Sequence, residues 1–259
     1  MSDSESVTKA LSALHAGKLV AIPTETVYGL GADASNPLAI QAIYQLKGRP
    51  ANHPLIVHVQ APLEHSQDKA HDWLAILSPW ARHIPESAFV LIEHFWPGPL
   101  TLVFQKSRLV LDALTGGQDT IAIRSPSHPL AQELLRGLRG GIAAPSANRF
   151  GKVSPTSAAD VRSEFEGMLG LMVLDGGDCE VGIESTIIDL SSGDKPVLLR
   201  PGAITPSEIL AKTGIQVYQA GEVKKADEAD SVPRVSGSML AHYAPTTPLR
   251  LYAPGRVLD

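Results

Sequence analysis

The sequence predicts an α/β fold, with short buried strands alternating with helices around a sheet. Three observations carry this. Apolar runs of strand length recur at residues 19–22, 54–59, 100–104, 120–123, 142–144 and 171–174, and several empty into Pro, Gly or small polar residues. Between them lie segments whose apolar residues fall three and four apart, the spacing of a helix with one buried face. A composition of 44% apolar and 19% charged residues over 259 positions leaves ample core for one large domain.

The elements follow in order. Residues 4–16 read as a helix with Val7, Leu11 and Leu14 on one face and Gly17 as its stop. Residues 19–22 form a strand that Pro23 ends, and residues 24–31, punctuated by Gly29 and Gly31, read as a polar turn. Asn36 is an N-cap and Pro37 a first-turn proline. The helix at 38–47 buries Ile40, Ile43, Tyr44 and Leu46, and Gly48 stops it, so Lys47 and Arg49 leave its end together. Residues 54–59 are a strand containing His58. Strand, polar turn, helix, cationic turn and strand make a crossover unit that builds a pocket for an anion.

Further along, a helix is expected within 61–77 and another at 87–95, broken by Trp96-Pro97-Gly98-Pro99. Strands at 100–104 and 120–123 follow, the second reaching Arg124-Ser125-Pro126. A helix at 129–138 closes at Gly140-Gly141, and a strand at 142–144 leads into Pro145-Ser146-Ala147-Asn148. Ser154-Pro155-Thr156 is expected to start a helix through about Phe165. A strand at 171–174 ends in Asp175-Gly176-Gly177. Residues 184–190 and 197–199 read as a strand pair turning at 191–194, and Thr205-Pro206-Ser207-Glu208 opens a helix to Lys212. Residues 219–238 shift to charge, Gly, Ser and Pro, the composition of a linker. A strand is expected to begin at Leu249.

Charge and cysteine narrow the class. A net charge of −5 argues against a dedicated nucleic-acid binder, although local basic patches remain open. The single Cys179 excludes internal disulfides and a cysteine-rich metal cluster, and fits a reducing compartment. Met1-Ser2-Asp3-Ser4-Glu5 is not a secretory start, and no apolar run approaches the ~18 residues of a membrane span, so a cytoplasmic protein is expected.

The usual phosphate and metal signatures are absent. There is no GxxxxGK[ST], Gly29-Leu30-Gly31 lacks the third glycine of GxGxxG, and neither HExxH nor a GxSxG context for Ser146 occurs. What remains is a shared character of the strand ends. Thr24 and Thr26, Lys47 and Arg49, Thr120 and Arg124, Ser146 and Asn148, Ser185 and Thr186, and Arg200 all fall at or just past predicted strands. Cations and hydroxyls converging on one site suit a polyanion bearing phosphate and carboxylate. Each residue also has a plainer reading. Lys47 and Arg49 would favour a helix dipole, His58 would be a core histidine, and Glu184 and Asp175 would cap strands as readily as bind magnesium.

Taken together, Pro23-Thr24-Glu25-Thr26-Val27-Tyr28-Gly29-Leu30, Lys47-Gly48-Arg49-Pro50, Phe95-Trp96-Pro97-Gly98-Pro99-Leu100-Thr101, Pro145-Ser146-Ala147-Asn148, Glu184-Ser185-Thr186 and Leu199-Arg200-Pro201-Gly202 resemble the threonylcarbamoyl-AMP synthase family. The resemblance spans roughly residues 7–213, and His242-Tyr243-Ala244-Pro245 resembles the linker motif of that family's longer, two-domain members.

The resemblance implies a YrdC-like fold, a twisted mixed parallel and antiparallel sheet flanked by helices with a concave ligand pocket. Residues 1–218 would be the catalytic domain, 219–248 a linker and lid, and 249–259 the first strand of an incomplete C-terminal domain. It implies condensation of L-threonine, bicarbonate or CO2, and ATP into threonylcarbamoyl-AMP and pyrophosphate, with Mg²⁺ carried on the ATP rather than held by protein alone. The product would pass to a tRNA threonylcarbamoyl transferase, and a weak RNA contact is a further expectation. Lys47, Arg49 and Arg200 take catalytic places. Thr26, His58, Thr120, Arg124, Ala144 and Ser185 take the threonine side. Arg49, His53, Thr120, Ser146, Asn148, Ser154, Arg200 and Tyr243 take the nucleotide side, with His53 standing where many relatives have Asn. Three alternatives stay open: a carbamoyl-transfer domain of the same fold, a double-stranded RNA or ribosome-binding module, and a nucleotide-binding pseudoenzyme.

Overall fold

A computed structural model describes residues 3–168, 170–193, 195–220, 222, 233–235 and 237. The elements are α1 (Asp3–His15), β1 (Val20–Ile22), β2 (Gly29–Asp33), α2 (Pro37–Lys47), β3 (Ile56–His58), α3 (Lys69–Leu77), β4 (Ala81–Arg82), α4 (Glu86–Phe95), β5 (Leu100–Lys106), α5 (Asp112–Thr115), β6 (Thr120–Arg124), α6 (Pro129–Leu138), β7 (Ile142–Ala143), α7 (Ala158–Glu164), β8 (Met172–Val173), β9 (Thr186–Asp189), β10 (Val197–Arg200), α8 (Pro206–Thr213) and β11 (Tyr218–Gln219).

The strands join one mixed sheet in the order β11-β10-β9-β5-β6-β3-β7-β2-β1-β8, with β4 against β5. Pairing is parallel for β3 with β6 and β5 with β9, and antiparallel for β1 with β2, β2 with β7, β3 with β7 and β5 with β6. The expected α/β class and mixed sheet are therefore observed.

The crossover unit differs from its sequence reading. Residues 29–33 are not turn but strand β2, which folds back on β1 in register Val20 with Gly31 and Ile22 with Gly29. The helix follows β2, and α2 carries the chain to β3 with β7 lying between the two strands. The glycines have a packing reason: a Cβ on Gly31 would sit 3.0 Å from the Val20 carbonyl and from Ile142. The start of α7 is also later than expected. Ser157 and Asp160 form its capping box, and Ser154 stays outside the helix. The caps of α2 are as read, with Asn36 accepting from Leu38 N–H and Ala39 N–H and Gly48 at φ 64°.

Alternation along the strands splits the sheet into two faces. Val57, Leu102, Phe104, Ile121, Ile123 and Ile188 join the main core beneath α2, α4 and α8. α1 and α6 cover the β1 end, with Val7, Leu14, Leu134 and Leu135 packed on Val20, Ile22 and Ile142. The opposite face carries Ile56, Val103, Ala122 and Ile187, capped by Val235. Period two places His58, Thr101 and Arg124 on that same thinly covered face, where the site forms.

Candidate functional site

A cavity of about 350 Å³, including its solvent-open part, is lined by Thr24, Thr26, Val27, Gly29, Ile56, His58, Arg124, Ala144, Pro145, Ser146, Glu184, Ser185 and Arg200. Its floor is a buried polar cluster. Arg124 donates from Nε to the Gly98 carbonyl (3.2 Å) and from Nη1 to Thr26 Oγ1 (2.8 Å), and its Nη2 lies 2.7 Å from Glu25 Oε1. Two of the guanidinium's five N–H donors are thus spent on hydrogen bonds, and the Glu25 contact is an ion pair. Glu25 is fixed in turn by the Ser127 N–H (3.1 Å). Thr26 Oγ1 meets Thr24 Oγ1 at 2.9 Å, and Ser185 Oγ meets Thr101 Oγ1 at 2.7 Å. Burial, with Arg124 beside it, pushes His58 down to about 3, so its imidazole is neutral at physiological pH. A neutral imidazole, hydroxyls and one oriented arginine suit a zwitterion whose carboxylate meets the arginine.

The rim is cationic. Arg200 donates to the Ser185 carbonyl (2.8 Å from Nη2) and Ser185 Oγ (3.1 Å), and its Nη1 contacts Glu184 Oε2. Ser154 Oγ donates to Glu184 Oε1 (2.9 Å). Lys47 and Arg49 stand one layer behind the wall. Lys47 Nζ donates to the Ser146 carbonyl (2.6 Å) and to that of Asn148, so the ammonium supports the turn that Ser146 presents to the cavity. Burial, then Arg49, pulls Lys47 down to about 7. Arg49 donates to the Pro54 carbonyl (2.9 Å) and lies 5.9 Å over the Phe150 ring, and burial lowers its pKa too. The 145–148 turn is clamped on β2: Leu30 N–H donates to Pro145 O and Ala147 N–H to Tyr28 O, both at 2.7 Å.

The structure thus brings together Thr26, His58, Arg124, Ala144, Ser146, Ser185 and Arg200 in one wall. Asn148 is buried beneath, its Nδ2 holding the Arg149 and Lys152 carbonyls. His53 packs edge-on against Phe150 at 5.4 Å, outside the wall. Thr120 stands apart from the threonine-side group. Three residues of strand separate it from Arg124, and it borders a second small cleft with Pro54, Leu55, Gln118, Ala122, Arg234 and Val235. Ile56 borders both hollows, so Thr120 lies on the same face beyond it. Tyr243 lies outside the described residues.

Two residues that sequence reasoning left unplaced are central. Glu25 orients Arg124, and Glu184 is the one carboxylate on the cavity wall among the described residues. Their signal was weak, since Glu25 pairs with a cation far along the chain and Glu184 with one across the β9–β10 turn. Asp175 pairs with Arg162 at 3.1 Å on the surface instead. Among the described residues no group of three or more His, Cys, Asp or Glu stands together as a metal cage, and no helix is long and apolar enough to cross a membrane.

Fold and site define an α/β protein whose sheet face carries a polar pocket with an arginine floor and a cationic rim. Residues 12–202 match the Sua5_yciO_yrdC family, described as telomere recombination, and the chain belongs to this family. It is 46% identical over 231 residues to a threonylcarbamoyl-AMP synthase of Pyrococcus abyssi, covering 89% of this chain and 63% of that one. It is 42% identical over 246 residues to the enzyme of that name from Bacillus subtilis, covering 95% of this chain and 66% of that one. The crystal structure of P. abyssi Sua5 complexed with L-threonine superposes with a TM-score of 0.78 at 42% identity, over 95% of this chain and 67% of that chain. The chain thus spans less than two thirds of the length of these two curated relatives.

Proposed function

We propose that this chain joins L-threonine, bicarbonate or CO2, and ATP into threonylcarbamoyl-AMP, releasing pyrophosphate. The observation that carries the reading is the juxtaposition in one cavity of the Arg124–Thr26–Ser185–His58 floor with the Arg200–Ser146 rim backed by Lys47 and Arg49. The P. abyssi and B. subtilis relatives bear the name of that activity.

In this reading Arg124 takes the threonine carboxylate, while Thr26, Ser185, Ala144 and the neutral His58 shape the rest of that subsite. The amine, once carboxylated, is a carbamate whose anionic oxygen attacks the α-phosphorus. The bond between the α-phosphorus and the bridging oxygen breaks, and pyrophosphate leaves. The nucleophile is already anionic, so charge neutralisation and positioning carry the step more than a general base does. Arg200, Arg49 and Lys47 offset the repulsion between the anions, and Ser146, Ser154, Asn148, Thr120 and His53 form the nucleotide side. Among the described residues the wall carries one carboxylate, Glu184, which Arg200 and Ser154 engage. In this reading Mg²⁺ is assigned to the ATP phosphates.

The boundaries at 218 and 248 belong to the proposal as well. Support for a linker folding over the site comes from residues 233–235: Gln118 and Arg234 exchange two hydrogen bonds (2.7 and 3.0 Å), and Val235 is buried on Ile56, Val103, Ala122 and Ile187. Consumption of the product by a tRNA-modifying transferase is the corresponding downstream step. The test is pyrophosphate release from ATP by this chain. Release that requires both L-threonine and bicarbonate is expected, and ATP cleavage indifferent to threonine would reject the reading.

A further inference from the structure

Glu184 has no role in the scheme above, yet it sits among the residues assigned to phosphate. Its Oε1 accepts from Ser154 Oγ and its Oε2 contacts Arg200 Nη1, with the two charged side chains only 10% and 6% exposed. A carboxylate taking one guanidinium N–H and one hydroxyl makes the contacts that two phosphate oxygens would make. Its field also reaches Lys47 and Arg49, opposing the depression that burial imposes on both.

We infer that Glu184 is a specificity-determining residue: an internal anion that occupies the phosphate contacts of Arg200 and Ser154 until a nucleotide displaces it. This rests on the nucleotide side being where the proposed function puts it. Displacement costs every incoming anion the same interaction. ATP recovers that cost through its further contacts with the site. Free phosphate and pyrophosphate have fewer contacts to recover it with, and pyrophosphate is the product that must leave. Without the carboxylate, Arg200, backed by the charges of Lys47 and Arg49, would hold small phosphates in the place ATP needs.

The experiment is calorimetric titration of inorganic pyrophosphate and inorganic phosphate into the full chain and Glu184→Gln, with thermal melting to establish folding. Loss of the internal competitor is expected to tighten pyrophosphate binding roughly tenfold or more, the worth of a charge-assisted hydrogen bond. Glu184→Asp, which keeps the charge, should remain near the wild type. Unchanged or weaker pyrophosphate binding by a folded Glu184→Gln, or equal tightening in Glu184→Asp, would overturn the inference. A crystal structure of the wild type with MgATP reads the same point without a variant: Glu184 should have left Arg200, and an intact pair beside bound phosphate would overturn it. MgATP binding and threonine-dependent turnover of the wild type report separately on the proposed function, because the pyrophosphate ratio needs no turnover.

Discussion

Arg124 offers the sharpest separation of structure from function. Replacing it with alanine removes the hydrogen bonds to Gly98 O and Thr26 Oγ1 and strands Glu25, whose side chain is 6% exposed and 2.7 Å from the guanidinium. An uncompensated buried charge costs about 3–5 kcal/mol, a large share of the ~5–15 kcal/mol that holds a domain folded. Arg124→Ala should therefore fall by about that amount in urea unfolding and lose L-threonine binding with it. Adding Glu25→Gln removes the stranded charge while keeping an acceptor for Ser127 N–H, and should recover roughly half or more of the stability. Threonine affinity should stay down by about a hundredfold in the double variant, because the carboxylate partner is still missing. Its MgATP affinity should change by less than about threefold, since the rim is intact. Two results would refute the reasoning. A double variant as unstable as the single would show that Glu25 is not what Arg124 compensates. A folded double variant that binds threonine normally would remove Arg124 from the carboxylate.

Three further outcomes follow from the same geometry. Lys47 sits at about 7 when the site is free, held there by burial, and phosphate beside it should raise that value. Binding then takes up a proton between the two values, so MgATP affinity should decline as pH rises above 7, and Lys47→Met should flatten that slope; a slope that persists would reject it. Gly202→Ala should weaken nucleotide binding by displacing the wall from behind, because its Cβ would stand 2.4 Å from Thr186 N and 2.7 Å from Glu184 O, backbone that cannot yield cheaply. A variant with wild-type MgATP affinity would show that the 184–186 segment tolerates the shift. Val235→Asp should put a charge among Ile56, Val103 and Ala122 and release residues 233–235, read as faster trypsin cleavage after Arg234; an unchanged cleavage rate would mean that Val235 does not hold the segment.

The helices were largely legible, because capping and periodicity are local. Asn36, Pro37 and Gly48 bracket α2 as read, and Thr205 caps α8 through Glu208 N–H. β2 was not legible. Gly29 and Gly31 look like turn residues, and only the neighbours reveal that a side chain there would meet Ala144, Ile142 and the Val20 carbonyl. The candidate site divides in the same way. Arg124 and Ser185 were flagged by their place at strand ends and His58 only by the family resemblance, and alternation does bring Arg124 and His58 to one face. Glu25 was invisible as a partner because its pairing with Arg124 is set by tertiary packing of the 23–28 turn against Ser127. Thr120 shares the face with Arg124, but the rise along β6 carries it into the neighbouring cleft.

The parallel pairing of β5 with β9 has a consequence for synthesis on the ribosome. Ser185 enters the wall only when the chain returns to lie beside residues made long before, and Arg200 follows it on β10. The pocket is therefore finished by nearly the last residues of the sheet to emerge. A nascent chain halted before Ser185 would hold the partners of Arg124 and Lys47 but lack the Glu184, Ser185 and Arg200 side of the wall. Long-range pairing of this kind is formed late and slows folding, so the wall is the part of the domain that the order of synthesis leaves until last.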